Sequence, residues 1–247
     1  MTINPRAYKG CLSFCFWGEL YGPYFDGIES NAARSAELYS DWDIVIFLPR
    51  CSKNKISERL HLGEHVRLVQ VDFAASWNGM FWRMLPVFWN DYTHICIRDL
   101  DSLVSRREAD AVQAWISEDS DLHIMRDHPA HTAPIMGGMF GLKVNKRTRQ
   151  AFRPIKKIIL KSEIHREAGY WQIDQQFLAR LIYPVLKDNA TIHDPYYKRI
   201  DFPAPRDKPH LYVGRPSMKL GLDKVVEDES VLAVDQYLNQ KAHQFLR

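Results

Sequence analysis

Three D-x-D triplets stand in the chain: Asp41/Asp43, Asp99/Asp101 and Asp119/Asp121. Two carboxylates at i and i+2 of an extended segment face one side. They can converge on one hard cation, the oxygen-donor arrangement in which Mg²⁺ or Mn²⁺ is shared with phosphate. The triplet arises often by chance, so position has to discriminate. Asp41/Asp43 and Asp119/Asp121 lead into apolar runs and read as solvated loop acids at the amino ends of strands. Asp99/Asp101 follow the apolar run HICI, at the carboxyl end of a strand, where open α/β sheets bind their ligands. Leu100, between the two acids, points back into the core. Arg98, just before them, is placed to balance their charge.

Other residues with chemistry to offer fall at similar positions. Arg83 lies between Trp82 and Met84 on an otherwise apolar segment, where a charge must be paired or reach solvent. Asp127, His128 and His131 follow an apolar run at 121–127. A zinc site is the rival use for them, but its remaining ligand would come from far away. Trp17 and Gly18 close the first apolar run; Trp17 reads equally as core, and Gly18 permits close backbone approach. Tyr21 and Tyr24 follow and offer stacking faces. Asp72 ends another run, where it can accept from a base N–H or a ribose hydroxyl, or cap a turn. Gly137 and Gly138 enter the segment GGMFGLKV. Asp174 and Gln175 begin a helical pattern, and an acid there is also a good cap. His193 and His210 fall in two short C-terminal strand patterns.

The elements that must position these residues alternate. Strand patterns at 11–18, 43–49, 66–72, 93–99 and 121–127 are separated by helical patterns at 27–39, 79–90 and 105–116, the last opened by the Ser105/Glu108 capping pair. The second half predicts a strand at 137–144, a helix at 148–162 broken or started at Pro154, a helix at 173–183, strands at 190–194 and 210–214, and a peripheral segment ending in a helix at 223–247. Strands alternating with helices predict an α/β fold with a mostly parallel central sheet flanked by helices, as a Rossmann-like single domain.

Composition narrows the function classes. The chain has 247 residues, 46% hydrophobic and 26% charged, which excludes disorder as its main state. A net charge of +3 does not call for nucleic acid. No apolar run approaches the roughly 20 residues of a membrane span. The N-terminus has no signal-peptide core, and Cys11, Cys15, Cys51 and Cys96 form no C-x-x-C pair and read as buried thiols. A reducing, cytoplasmic location is the expectation.

IRDLDS (97–102), a helix containing Trp115, HIMRDHPAH (123–131) and IMGGMFG (135–141) together resemble the GT-A-fold glycosyltransferases. More narrowly, they are similar to bacterial and large-DNA-virus sugar transferases with a D-L-D-S metal motif. YWQIDQQFL (170–178), IHD (192–194) and YVG (212–214) extend the resemblance over roughly 11–215. It implies one GT-A-like domain over 1–247, with a nucleotide-binding half at about 11–126 and a sugar and acceptor half at about 127–215.

The resemblance also implies a nucleotide-sugar donor, UDP first, a hydroxyl acceptor such as a glycan, and a divalent metal, Mn²⁺ or Mg²⁺, bridging the donor pyrophosphate. Asp99 and Asp101 would hold the metal, with His193 as third ligand. Trp17, Gly18, Asp72, Arg83, Leu100, His128, Gly137 and Gly138 would contact the donor, Arg83 reaching toward its diphosphate. If the reaction inverts, Asp174 would take the acceptor proton; if it retains, Asp174 or Gln175 would flank the sugar's other face; Asp127 is the next candidate base. Two other functions remain open. A sugar-1-phosphate nucleotidyltransferase usually has a basic Gly-rich loop after the first strand, whereas FWGELYGPYFDG has no basic residue. A non-catalytic sugar-binding domain would need no divalent ion.

Overall fold

The computed structural model describes residues 9–71, 77–160, 172–197, 199–208 and 211–216. The expected peripheral segment at 223–247 with its final helix, Asp72 and His210 lie outside them. Seven strands form one sheet: β1 (Gly10–Cys15), β2 (Trp42–Pro49), β3 (Val66–Val71), β4 (His94–Arg98), β5 (Leu122–Met125), β6 (Met139–Lys143) and β7 (Ala190–His193). Their order is β3-β2-β1-β4-β6-β5-β7. All pairs are parallel except those made by β6, which runs against both β4 and β5. The fold is thus α/β with a mostly parallel sheet flanked by helices. The reversal of β6 has a direct effect on the site. Its first residue, Met139, pairs with Arg98 at the end of β4, so the turn entering β6 arrives at the same edge as the carboxyl ends of the parallel strands.

The period-2 alternation of buried strands divides the core between two faces. On one, Cys11, Val45, Phe47, Ile95 and Ile97 pack against Phe81, Trp82, Met84 and Phe152. On the other, Leu12, Phe14, Ile44, Ile46 and Cys96 meet Ile28 and Ala32 of helix α1 (Pro23–Leu38) and Ala109, Val112 and Trp115 of α3 (Arg106–Glu118). A short helix α2 (Lys53–Arg59) leads toward β3. Cys11, Cys15 and Cys96 are buried free thiols, small hydrophobes as the sequence suggests. Ser105 caps α3, its hydroxyl accepting from the Glu108 N–H at 3.2 Å.

Four elements depart from the sequence pattern. The segment expected as a helix at 79–90 is a 3₁₀ helix over Trp77–Phe88. Three residues per turn align i and i+3, so Phe81, Met84 and Val87 form a buried row while Met80 and Arg83 form another, facing the cleft described below. Helix α4 (Lys146–Leu160) runs through Pro154 without breaking. Reciprocal bonds between Asn145 and Thr148, each 3.0 Å, start it, and Phe152, Ile155 and Ile159 bury its apolar stripe, offsetting the lost hydrogen bond.

The helix expected at 173–183 is composite. An α segment α5 (Ile173–Phe177), a π turn (Leu178–Ile182) and α6 (Tyr183–Leu186) follow one another, with Pro184 just after the bulge. Residues 211–215 form a turn rather than a strand, with Gly214 at φ 84°. No helix among the described residues is long and apolar enough to cross a membrane.

Candidate active site

The carboxyl ends of β1 and β4, the 3₁₀ helix, the turn before β6 and the start of α5 enclose a cleft of about 400 Å³. Trp17, Gly18 and Tyr24 line its β1 side; Arg83, Asp99, Gly137, Asp174 and Gln175 line the other. Residues far apart in sequence therefore meet at the carboxyl end of β4.

Arg83 is the hub. It is 3% exposed, and its backbone carbonyl is held by the Ser13 hydroxyl at 2.6 Å. Nη1 donates to an Asp99 carboxylate oxygen and to the Arg98 carbonyl (3.1 Å), while Nη2 donates to Asp174 Oδ2 at 2.8 Å. One guanidinium thus joins two carboxylates whose sequence positions differ by 75 residues, as 174 minus 99. Arg83, rather than Arg98, supplies the acid pair's counter-charge. Arg98 is turned inward, fully buried, paired with Glu108 at 2.8 Å and donating to the Gly138 carbonyl at 2.6 Å.

The loop carrying Asp99 and Asp101 is clamped from α1. Asn31 donates to the Leu100 carbonyl and accepts from the Val104 N–H, both at 3.0 Å. Gly27 is pressed against that same carbonyl, with no room for a Cβ. Leu100 itself is fully buried, so its side chain is core. The Asp99 side chain keeps 39% of its exposure. Burial first, then the neighbouring Asp99 carboxylate, push the Asp101 pKa up to about 6; the Tyr24 hydroxyl, hydrogen-bonded to Asp101, draws it partly back. A carboxyl pushed up by burial and by a neighbouring carboxylate marks a place short of positive charge, which suits a divalent cation with oxygen ligands. Among the described residues no third His, Cys, Asp or Glu completes a cluster with them, so further ligands would be phosphate oxygens and water.

Asp174 is not the helix cap that its position suggests. Gln172 is the N-cap, and Asp174 sits inside the first turn, 2% exposed, with Oδ1 accepting from the Gln175 N–H at 2.8 Å. Burial raises its pKa above the usual carboxylate value, against the pull of Arg83. Gly137 and Gly138 make room for carboxylates. A Cβ on Gly137 would collide with Asp174, and one on Gly138 with Asp99. Gly18 is open, with nothing near its missing Cβ. Tyr21 and Tyr24 stand 74% and 50% exposed at the mouth.

The remaining expectations do not converge on the cleft. His193 lies on β7, three strands from β4 and so about 14 Å away across the sheet. It is buried, bonded to His123 at 2.8 Å, and held down to about pKa 4 by burial. That placement corrects its expected role as third metal ligand. Asp127 is fully buried in a double bond to Arg107 (2.9 Å twice), with Arg206 and the Val213 N–H adding to it. It has no exposed face with which to act as a base. His128 and His131 are buried and bonded to local backbone N–H groups, at 3.1 Å each, beneath the Tyr212 ring.

Of the acids read as solvated loop residues, Asp119 is exposed. Asp121 is instead buried and paired with Arg147 at 2.9 Å, and Asp43 bonds Tyr92 and Lys9, each at 2.9 Å. Residues the sequence pattern did not flag include Asn31, Gln172 and Met80. Asn31 had a readable signal, being a polar residue on the apolar face of α1, three residues after Ile28.

No protein-family model matches the chain, and no curated protein matches it. Solved structures do. A 4-diphosphocytidyl-2C-methyl-D-erythritol synthase from Anaerococcus prevotii is similar over 94% of this chain and 96% of its own, at 8% identity and a TM-score of 0.46. A Pyrobaculum calidifontis mannosyltransferase, solved with GDP-Man and Mn²⁺, is similar over 76% of this chain at 13% identity and a TM-score of 0.45; the chain spans 54% of it. S. aureus TarS (residues 1–349) is similar over 76% of this chain at 10% identity and a TM-score of 0.48; the chain spans 58% of it. Each likeness concerns chain architecture, not residues or chemistry.

Proposed function

We propose that the chain is a metal-dependent glycosyltransferase of GT-A type, moving a sugar from a nucleoside-diphosphate donor to an acceptor hydroxyl. The observation that carries this reading is the convergence of Asp99, Arg83 and Asp174 on one cleft at the carboxyl edge of the sheet, with Asp101 hydrogen-bonded to Tyr24 of its wall. The D-L-D-S resemblance supports it, and UDP is the first nucleotide to test. The absence of any basic residue from the loop after β1 speaks against a nucleotidyltransferase.

In this reading Asp99 and Asp101 hold a divalent cation, which when bound supplies charge stabilisation for the leaving diphosphate. Arg83 adds a second positive charge to the cleft, suited to phosphate oxygens. The Tyr21 and Tyr24 rings and Trp17 flank the base and ribose. Asp174 takes the proton of the attacking hydroxyl. Its raised pKa makes it a better base near neutrality than a solvated aspartate, and its bond to Arg83 aims it into the cleft. Gln175 stands beside it, in contact range of the acceptor or sugar. Calorimetric titration of UDP with and without Mn²⁺, followed by a nucleotide-sugar hydrolysis screen, tests the proposal. The expected result is UDP binding that requires Mn²⁺ and slow hydrolysis of one donor. Equal UDP affinity with and without the metal overturns it.

A further inference from the structure

We propose that Arg83 is a resident counter-ion that an arriving divalent cation must displace from Asp99, so that cation loading frees the guanidinium for the phosphates of the donor. The inference rests on the proposed reading of Asp99 and Asp101 as cation ligands. It goes beyond that reading by assigning the order of events and a negative coupling between two positive charges.

Three observations carry it. First, one Asp99 oxygen accepts from Arg83 Nη1, while the other lies beside Gly138, where a Cβ would collide with it; a cation chelated by both oxygens therefore meets the guanidinium. A divalent cation needs a carboxylate oxygen at direct coordination distance. It cannot share the oxygen facing Arg83 while two positive charges lie within a few ångströms of each other beside a buried guanidinium.

Second, the guanidinium is incompletely satisfied where it stands. Its Nε is buried and has no acceptor, although Nη1 and Nη2 are bonded. A fork with five donors therefore has reason to turn when a better set of acceptors, such as a diphosphate, enters.

Third, release from Asp99 does not release Arg83 from the cleft. Asp174 holds Nη2 and the Arg98 carbonyl holds Nη1, so the side chain pivots on two remaining contacts. Asp101 differs: its partner is the neutral Tyr24 hydroxyl, which a cation does not repel.

The test is titration of the full chain with Mn²⁺ alone and then with UDP in saturating Mn²⁺, for wild type, Arg83→Gln and Arg83→Lys. Displacement predicts opposite signs for Arg83→Gln: Mn²⁺ alone binds at least about tenfold tighter, whereas UDP in saturating Mn²⁺ binds at least about tenfold weaker, the scale of one charged hydrogen bond. Arg83→Lys keeps the charge but not the fork and should fall between. Unchanged or weaker Mn²⁺ binding by Arg83→Gln, with wild type binding normally, overturns the inference and makes Arg83 an orienting group for Asp99. Should Arg83→Gln fail to fold, a structure of the wild-type protein with Mn²⁺ decides. An ion on Asp99 with the Arg83 contact broken supports displacement; an ion with the contact intact overturns it. Mn²⁺ binding by neither wild type nor variants overturns the reading of the acid pair itself, and the inference with it.

Discussion

The chain contains two Arg-Asp dipeptides at the carboxyl edge, Arg98-Asp99 at the end of β4 and Arg126-Asp127 after β5, and they meet opposite fates. In both, the arginine turns inward to a remote acid: Arg98 to Glu108, Arg126 to Asp194 at 2.6 Å. The aspartates diverge. Asp99 meets one arginine already shared with Asp174, and keeps an exposed side in the cleft. Asp127 meets two arginines and a backbone N–H, and keeps none. A strand-end position therefore identifies where a site can be. The supply of counter-charge decides whether the acid is still available for chemistry.

The largest way to break this contrast is Asp127→Asn. Two arginines lose their charge partner inside the fold, a loss of about 3–5 kcal/mol, which for a chain of this size is roughly 10 °C in melting temperature. A near-normal melt would mean that Asp127 is not the anchor its contacts describe. On the other side, Asp101→Asn is expected to lower Mn²⁺-dependent UDP affinity by at least about 10²-fold with only a small change in melting temperature, since metal ligands matter at least as much as their supporting shell. Asp119→Asn is the exposed control and should change neither.

Asp174→Asn sharpens the comparison within the cleft. As a base it is expected to leave donor binding near wild type and lower turnover by about 10²-fold. Normal turnover with a working acceptor would reduce Asp174 to a tether for Arg83.

The smallest effect is a pH slope from the β5–β7 side. Burial holds His193 near pKa 4 and His123 well below its usual value, with Glu118 and Arg107 the charges facing His193. Below about pH 6.5 the unfolded chain takes protons that these native rings refuse. Stability present above that pH is therefore lost as pH falls toward 4. His193→Asn should make urea-melt stability between pH 6 and 5 shallower by about 1.4 kcal/mol per pH unit, one proton's worth. An unchanged slope would show that His193 is already protonated in the native state.

The fold and the open half of the edge were legible because they depend on local signals. Strand alternation, the Ser105 cap and the run HICI before Asp99 can all be read within ten residues. The sealed half was not, because its partners come from afar. Arg107 and Arg206 stand 20 and 79 residues from Asp127, and His123 stands 70 from His193. No spacing rule separates an acid with two distant arginines from one with half of one. The glycines were half legible: Gly137 and Gly138 stand where close approach is required, but what approaches is a carboxylate of the chain itself. Pro154 misled because propensity is local while the packing of Phe152, Ile155 and Ile159 is not.

The 3₁₀ helix before β4 has a consequence for how such a chain can change over time. With three residues to the turn, its rows are locked to sequence number: 80 and 83 face the cleft, and 81, 84 and 87 the core. Exchanging one apolar residue for another in the core row costs little more than the difference in fit. Adding or deleting a single residue upstream of Arg83 rotates every later side chain by about 120°, carrying the arginine into the apolar core and a core side chain into the cleft. In this segment length is the inherited quantity and identity the adjustable one, so gaps should be far more damaging than substitutions.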